Sequence, residues 1–272
     1  MRGPVALTIA GSDSGGGAGA TADLKVFEAL GVWGTVAITA MTAQNTAGVL
    51  AMHLVPPSLI AAQISAVACD IGVDAAKTGM LGSAAAVRAV VGAVGAAGIS
   101  RLVVDPVLVS SHGTRLLADD AVAVVRAELV PLATVITPNV GEAEALIGLP
   151  IVDRDGMVAA AAALLRLGPS AVLVKGGHLA DESASPDLLC SADGTVEWLE
   201  GPRLAALHTH GTGCVLSAAI TAYLALGASV PDACRDAKAF VTGAIAAGRP
   251  LGSGPGPVDP GWARGAGGLG VG

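Results

Sequence analysis

The chain has 272 residues, of which 53% are apolar and only 2% aromatic, and it carries a formal net charge of −7. A chain of this length can bury a sizeable core, which aliphatic side chains must dominate. The acidic balance, without a Lys/Arg cluster, argues against nucleic acid as the main partner. The longest helix-like uncharged run, residues 214–226, spans about 13 residues, whereas a membrane helix needs about 20. We therefore expect a soluble protein with neither a nucleic-acid nor a membrane partner.

The cysteine pattern and the N-terminal residues bear on the compartment. The four cysteines show no C-x-x-C spacing, which argues against a zinc site or a redox pair. The N-terminus runs directly into a short apolar strand, without the basic and long apolar regions of a secretory signal. We expect a cytoplasmic protein with reduced thiols.

Short apolar segments alternate with helical patterns through the first part of the chain. Residues 5–10 form an apolar run that ends in a glycine loop, which predicts a buried strand. Residues 18–30 have helical spacing, with Gly31 as a stop signal. The same reasoning predicts strands at residues 36–41, 75–80 and 101–105, and helices at residues 57–71 and 83–97.

The alternation continues in the second part of the chain. It predicts helices at residues 119–129, 141–147, 154–167, 214–226 and 231–247, strands at residues 134–137 and 171–175, and a hairpin around Asp193-Gly194. Continuous apolar strands between helices favour a three-layer α/β/α fold with a mostly parallel central sheet and helices on both faces. We assign residues 1–258 to one domain and expect the Gly/Pro-rich residues 259–272 to form a disordered tail.

Polar side chains gather where the predicted strands end. They are Asp13, Asn45, Asp105, Asn139 and Lys175. Ligands of open α/β sheets bind at the carboxyl ends of the strands. We therefore expect a ligand site at this edge.

A glycine turn precedes the predicted helix at residues 214–226. Gly211, Thr212 and Gly213 would place unpaired N–H groups at the start of this helix, where an anion can bind. Cys214 would lie in the first turn, where we expect its thiol pKa to fall below the free value of about 8.5. The alternative is an ordinary loop before a core helix, with Cys214 as a small buried hydrophobe.

Several nucleotide-binding motifs can be weighed against the chain. Residues 15–20 match the loose form G-x-G-x-x-A after a strand, which is typical of dinucleotide binding. That function needs an acidic residue at the end of the next strand, and none occurs between Glu28 and Asp70. The chain also lacks the P-loop motif G-x-x-x-x-G-K-[ST] and the hydrolase motif G-x-S-x-G.

The remaining polar groups suit phosphoryl transfer, which needs backbone donors, a cation and carboxylates near the phosphates. Lys175, before two glycines, could reach a phosphate, although a solvated surface lysine would show the same pattern. Asn139 and Glu142 could hold a metal-bound water, although the same spacing is that of an ordinary capping box.

Eight motifs in consistent order carry a family resemblance. They are AGSD (residues 10–13, continuing to Gly19), ADLK (22–25), ITA with AQNT (38–46), KTGML (77–81), DPV (105–107), TPN with EA (137–143), KGGH (175–178) and THGTGC (209–214). With them the chain resembles the hydroxymethylpyrimidine and hydroxymethylpyrimidine-phosphate kinases of thiamine biosynthesis, within the ribokinase superfamily. The resemblance implies a ribokinase-like α/β/α fold and a homodimer.

The resemblance also implies roles for individual residues. Gln44 would pair with the polar edge of an aminopyrimidine, and the rest of that pocket would be formed by Gly11, Asp23, Met80 and Val107. Nucleotide contacts would come from Asp105, Asn139, Glu142, Lys175 and Thr209, the first three also holding Mg²⁺ through water. Gly211, Thr212 and Gly213 would donate N–H groups to the transferred phosphoryl group. Cys214 stands where sugar kinases carry an aspartate base.

The implied activity is ATP- and Mg²⁺-dependent phosphorylation of 4-amino-5-hydroxymethyl-2-methylpyrimidine and then of its monophosphate. Two alternatives remain, a pyridoxal or pyridoxine kinase of the same superfamily and a catalytically weak sensor of pyrimidines. Gln44 favours a pyrimidine substrate over pyridoxal, and the glycine turn with Lys175 favours a catalyst over a sensor. The chain departs from the family pattern at Ser14, where proline is frequent, and at Thr21, where glutamine is frequent.

Overall fold

The computed structural model describes residues 2–109, 117–177 and 184–263. These residues form ten strands. The strands are β1 (Val5–Ala10), β2 (Trp33–Ile38), β3 (Ala40–Asn45), β4 (Gly48–Leu54), β5 (Ala75–Thr78), β6 (Leu102–Val104), β7 (Val135–Ile136), β8 (Ala171–Lys175), β9 (Asp187–Ser191) and β10 (Val196–Leu199).

The same residues form eight α-helices. They are α1 (Gly19–Ala29), α2 (Pro57–Asp70), α3 (Ala84–Ala96), α4 (Asp119–Val124), α5 (Val140–Ile147), α6 (Arg154–Leu165), α7 (Thr212–Ala225) and α8 (Val230–Ala246). The predicted helix at residues 119–129 is therefore shorter, because a π-helical turn, Val125–Leu129, follows α4. None of the helices within the described ranges is long and apolar enough to cross a membrane.

The main sheet has eight strands in the order β10-β9-β8-β7-β6-β5-β1-β2. Neighbours from β2 to β8 are parallel, and β9 and β10 add an antiparallel edge. Helices α2 to α6 cover one face, and α1, α7 and α8 cover the other. Leu7 of β1 packs in the first core and Ala6 in the second, which explains the unbroken apolar run of this strand. The predicted α/β/α architecture is confirmed.

A separate antiparallel hairpin of β3 and β4 corrects the predicted strand at residues 36–41. The chain leaves the main sheet after Ile38, and buried Thr39 donates its hydroxyl to the Met80 carbonyl oxygen at 2.6 Å. Strand β4 has no buried residue, so it shows no alternation from which it could have been predicted. Asn45 accepts hydrogen bonds from backbone N–H groups within the hairpin turn, so this strand-end side chain serves the turn.

The packed domain continues beyond the predicted boundary at residue 258. Trp262 donates its indole N–H to the Phe240 carbonyl oxygen at 3.0 Å, and the two rings lie 6.0 Å apart. The boundary is thus corrected to at least residue 263, because this indole covers the α8 surface. Residues 264–272 of the predicted tail lie outside the described residues.

Candidate active site

A cavity of about 1120 Å³ opens at the carboxyl edge of the parallel strands. Its wall contains thirteen of the fourteen predicted site residues. They are Gly11, Gln44, Met80, Val107, Asp105, Asn139, Glu142, Lys175, Thr209, Gly211, Thr212, Gly213 and Cys214. The one predicted site residue that is absent from the wall is Asp23.

The start of α7 has the geometry of an anion site. Gly211 adopts a left-handed conformation with φ of 84°, and no side chain caps the helix. A Cβ atom here would collide with the Gly17 carbonyl oxygen, so glycine is required. The N–H groups of Gly211, Gly213 and Cys214 donate to no described residue, which leaves them for a ligand. The predicted donor Thr212 instead donates its N–H within the turn.

Asp13 joins the glycine loop to this turn. Its carboxylate accepts hydrogen bonds from the N–H groups of Gly15, Gly17 and Ala18 and lies 3.0 Å from His210 Nε2. Burial would raise the pKa of Asp13, but His210 and the backbone donors together lower it. The carboxylate thus holds two segments far apart in sequence, and their separation explains why local spacing did not reveal the pair.

Lys175 lies between two carboxylates. Its Nζ is 3.1 Å from Asp105 Oδ1 and 3.7 Å from Glu142 Oε2. Burial would lower the pKa of Lys175, but the charges of Asp105 and Glu142 raise it, so the ammonium form persists. The side chain is only 15% exposed, and a Cβ on Gly213 would lie 3.4 Å from Nζ. The surface-lysine alternative is therefore wrong, because the cation adjoins the glycine turn.

Asn139 and Glu142 form the capping box that was the alternative to a ligand role. Asn139 Oδ1 accepts from the Glu142 N–H at 2.9 Å, and Glu142 Oε2 accepts from the Asn139 N–H at 2.8 Å. The same carboxylate faces the cavity beside Lys175, and burial raises the pKa of Glu142 to about 7. Capping and ligand binding are compatible, because the cap uses only one of the two carboxylate oxygens.

The pKa of the Cys214 thiol differs from the one expected at a helix start. Burial raises the pKa of its thiol to about 11, whereas a helix start was expected to lower it. The charge of Lys77 and the Gly19 N–H act in the opposite direction and are outweighed. The ligand-free protein therefore holds a protonated thiol, because removal of the sulfur from water disfavours the anion more strongly than these groups favour it.

Asp23 lies behind the cavity, which corrects its predicted place in the substrate pocket. Its carboxylate is fully buried and accepts the Thr8 hydroxyl at 2.6 Å and the Lys77 ammonium at 2.8 Å. Both oxygens are thus engaged within the protein. The helical pattern of residues 18–30 placed Asp23 on a helix but could not show which layer this side chain enters.

Gln44 presents an unengaged carboxamide to the cavity. Its backbone N–H donates to Ser14 Oγ and its carbonyl oxygen accepts from the same hydroxyl, both at 2.8 Å. The carboxamide itself makes no hydrogen bond to a described residue and is free to pair with a ligand. Ser14, a departure from the family pattern, thus fixes the backbone that carries Gln44.

The predicted magnesium ligands fit an ion held through water. The described residues contain no cluster of three or more His, Cys, Asp or Glu side chains that could chelate a metal. Both oxygens of Asp105 already accept hydrogen bonds, whereas Glu142 Oε1 accepts none from a described residue. Mg²⁺ keeps several waters and binds through one or two carboxylates plus substrate phosphates, which this arrangement can accommodate.

The carboxyl edge of the parallel sheet brings together an uncapped helix start, a buried ammonium group and two carboxylates. Such a site is that of a small-molecule phosphotransferase. The model of the phosphomethylpyrimidine kinase family matches residues 13–259. The chain belongs to this family.

Individual relatives agree with the family match. A hydroxymethylpyrimidine/phosphomethylpyrimidine kinase of Streptomyces coelicolor is 52% identical over 263 residues, 96% of each chain. A thiamine biosynthesis bifunctional protein of Geobacter sulfurreducens is 46% identical over 95% of this chain and 52% of its own length. The ADP complex of Bacillus subtilis pyridoxal kinase has a TM-score of 0.89 at 37% identity, covering 97% of this chain and 99% of that chain. The fold is therefore that of the ribokinase-like vitamin kinases.

Proposed function

We propose that this chain transfers the γ-phosphoryl group of ATP to 4-amino-5-hydroxymethyl-2-methylpyrimidine and then to its monophosphate, which yields the diphosphate for thiamine biosynthesis. One observation carries the proposal. A single cavity joins the unengaged Gln44 carboxamide to the uncapped start of α7 and to the Lys175 ammonium. An acceptor held by its polar edge can thus lie beside a phosphate held by backbone donors.

Each group has a distinct role in this transfer. The N–H groups of Gly213 and Cys214 bind the oxygens of the transferred phosphoryl group, where negative charge must be stabilised. Lys175 neutralises the phosphates from the adjoining wall. Thr209, Gly211 and Thr212 shape the turn, since the Thr209 carbonyl accepts both the N–H and the hydroxyl of Thr212.

A magnesium ion carried by the nucleotide would supply further charge neutralisation. Glu142 would hold it through water with its unengaged oxygen, and Asp105 and Asn139 would orient that water. Cys214 lies next to the helix start and adjoins the acceptor hydroxyl. Its protonated thiol can position this hydroxyl by hydrogen bonding, and a largely dissociative transition state requires little help from a base.

The decisive test of the reaction is mass spectrometry of products. The pyrimidine, its monophosphate and pyridoxal are each incubated with Mg-ATP. We expect one phosphate on the first acceptor, followed by a second, and slow or no turnover of pyridoxal. Efficient phosphorylation of pyridoxal alone would instead favour the activity named for the Bacillus subtilis neighbour.

Gln44→Ala is expected to raise KM for the pyrimidine by about 10–100-fold, because a buried polar edge would lose its paired donor and acceptor. KM for ATP should stay within a factor of about two, since the nucleotide groups are untouched. Steady-state kinetics with each substrate varied in turn measures both constants. The control is His53→Ala on the exposed part of β4. Equal changes of both KM values in Gln44→Ala would contradict the assignment of Gln44 to the pyrimidine.

We also propose that the chain acts as a homodimer in the cytoplasm, where ATP is supplied. The hairpin of β3 and β4 exposes large apolar side chains, Met41, Leu50 and Met52, and a second copy could cover them. Sedimentation equilibrium is expected to give twice the chain mass of 26.3 kDa. A monomeric mass at micromolar concentration would contradict this part of the proposal.

A further inference from the structure

Lys77 is a fully buried cation that the roles above do not include. Thr8 of β1 and Lys77 of β5 are register partners in the parallel sheet, so their side chains share one face. Asp23, on the helix that covers this face, accepts the Lys77 ammonium at 2.8 Å and the Thr8 hydroxyl at 2.6 Å. Both charged side chains are 0% exposed.

Burial of the Lys77–Asp23 ion pair costs free energy of folding. Removing two charges from water opposes folding, and well-packed apolar side chains of similar volume often stabilise a protein equally or better. Stability alone is therefore a weak reason for an ion pair here. Asp23 is also the one described acceptor of Lys77, so two of the three ammonium protons have no described partner.

Lys77 lines the same cavity as Cys214. We infer that Lys77 is a positioning residue for the phosphoryl transfer, in which its ammonium, oriented by Asp23, stabilises negative charge at the Cys214 sulfur. The inference deepens the proposed function and rests on it.

The charges around Cys214 support this assignment. Lys77 faces it from β5, Lys175 from β8, Asp23 from α1, and Asp105 from the end of β6. The Gly19 N–H at the start of α1 also acts on the sulfur. Among these side chains, Lys77 is the leading influence that lowers the Cys214 pKa, and Asp23 and Asp105 raise it.

The Lys77 charge affects the reaction through the proton that the acceptor hydroxyl must lose. The resting Cys214 thiol is protonated, so the acceptor reacts in the small fraction of the enzyme in which this thiol is ionised. As the hydroxymethyl oxygen forms its bond to the γ-phosphorus, its proton passes to this thiolate. The bond from the γ-phosphorus to the bridging oxygen breaks, and ADP leaves with that electron pair. The proton then passes from the sulfur to solvent, and Lys77 increases the fraction of the enzyme that carries the sulfur anion.

The test uses two substitutions with opposite expected effects on thiol reactivity. Without substrate or nucleotide, Lys77→Met should slow iodoacetamide alkylation of Cys214 by about tenfold at a given pH, the equivalent of one pKa unit. Asp23→Asn should accelerate it, because a negative neighbour is lost while the cation remains. Peptide mass spectrometry over pH 7–10 gives the rates, and exposed Cys69 in the same sample is the reference.

Turnover provides the second measurement. Lys77→Met should lower kcat by about tenfold or more and leave KM for ATP unchanged, because Lys77 acts on the acceptor side. Lys77→Arg should retain much of both activities. If a single substitution prevents folding, the double variant Lys77→Met with Asp23→Leu removes both charges, and its alkylation rate should still fall severalfold.

The inference is overturned if folded variants alkylate Cys214 at the wild-type rate, or if both single substitutions slow it equally, as mere loss of packing would. A fall in kcat with an unchanged alkylation profile also overturns it. Because alkylation is read without substrate, a wild-type enzyme that fails to phosphorylate the pyrimidine would refute the proposed function separately.

Discussion

Lys175→Met is expected to lower kcat/KM for Mg-ATP by about 10²–10³-fold, the loss typical for a group that stabilises transition-state charge. The substitution removes the buried ammonium beside the glycine turn and leaves Asp105 and Glu142 facing each other without their common cation. The negative charge left without a cation would also disfavour approach of the nucleotide phosphates. Initial rates over a grid of ATP and pyrimidine concentrations measure the loss.

Two controls separate charge from folding in this experiment. Lys175→Arg keeps the positive charge and should retain more activity than the methionine variant, although its wider group disturbs the turn. Arg88→Met removes an exposed surface charge paired with Glu128 and should leave kinetics unchanged. A folded Lys175→Met enzyme with wild-type kcat/KM would exclude Lys175 from the reaction.

Gly211→Ala is expected to lower kcat by about 100-fold, because the helix start would have to move away from the phosphoryl group. The residue is left-handed, with φ of 84°, and an added Cβ would meet the Gly17 carbonyl oxygen. Stability should fall by about 1–3 kcal/mol from the strained backbone. Stopped-time assays of the purified variant give kcat, and urea unfolding gives the stability.

Gly92→Ala is the matched control for this substitution. Gly92 lies within α3, and a Cβ there meets no atom within 4 Å. Activity should be unchanged, and stability should rise slightly because alanine favours the helix by about 1 kcal/mol. Wild-type turnover in Gly211→Ala would show that the turn tolerates displacement, in contradiction to its role as an anion site.

The elements that bury an apolar face could be predicted from the sequence. Strand β1 and helix α8 follow their predicted bounds within a few residues, because burial imposes a period on the side chains. Strand β4 buries no residue in this chain, and it was missed. The predictability of an element thus depended on whether it packs against the domain core.

The cavity wall was likewise predictable from polar residues at strand ends. Parallel strands bring their carboxyl ends to one edge, so Asp105, Asn139 and Lys175 meet there. The resemblance implied a pocket role for Asp23, whereas in the structure its carboxylate is engaged by Thr8 and Lys77. Lys77 lies on β5, and the short apolar pattern of that strand does not show that its lysine is buried against Asp23.

The sequence by itself determined the layered fold, the site at the carboxyl edge and the glycine turn at the start of α7, because each depends on local patterns. Only the tertiary structure decided the ionisation of Cys214 and the pairings of Asp13 with His210 and of Asp23 with Lys77. A pKa depends on the water and charges around a group. Those surroundings come from segments far apart in the chain, which meet only when it folds.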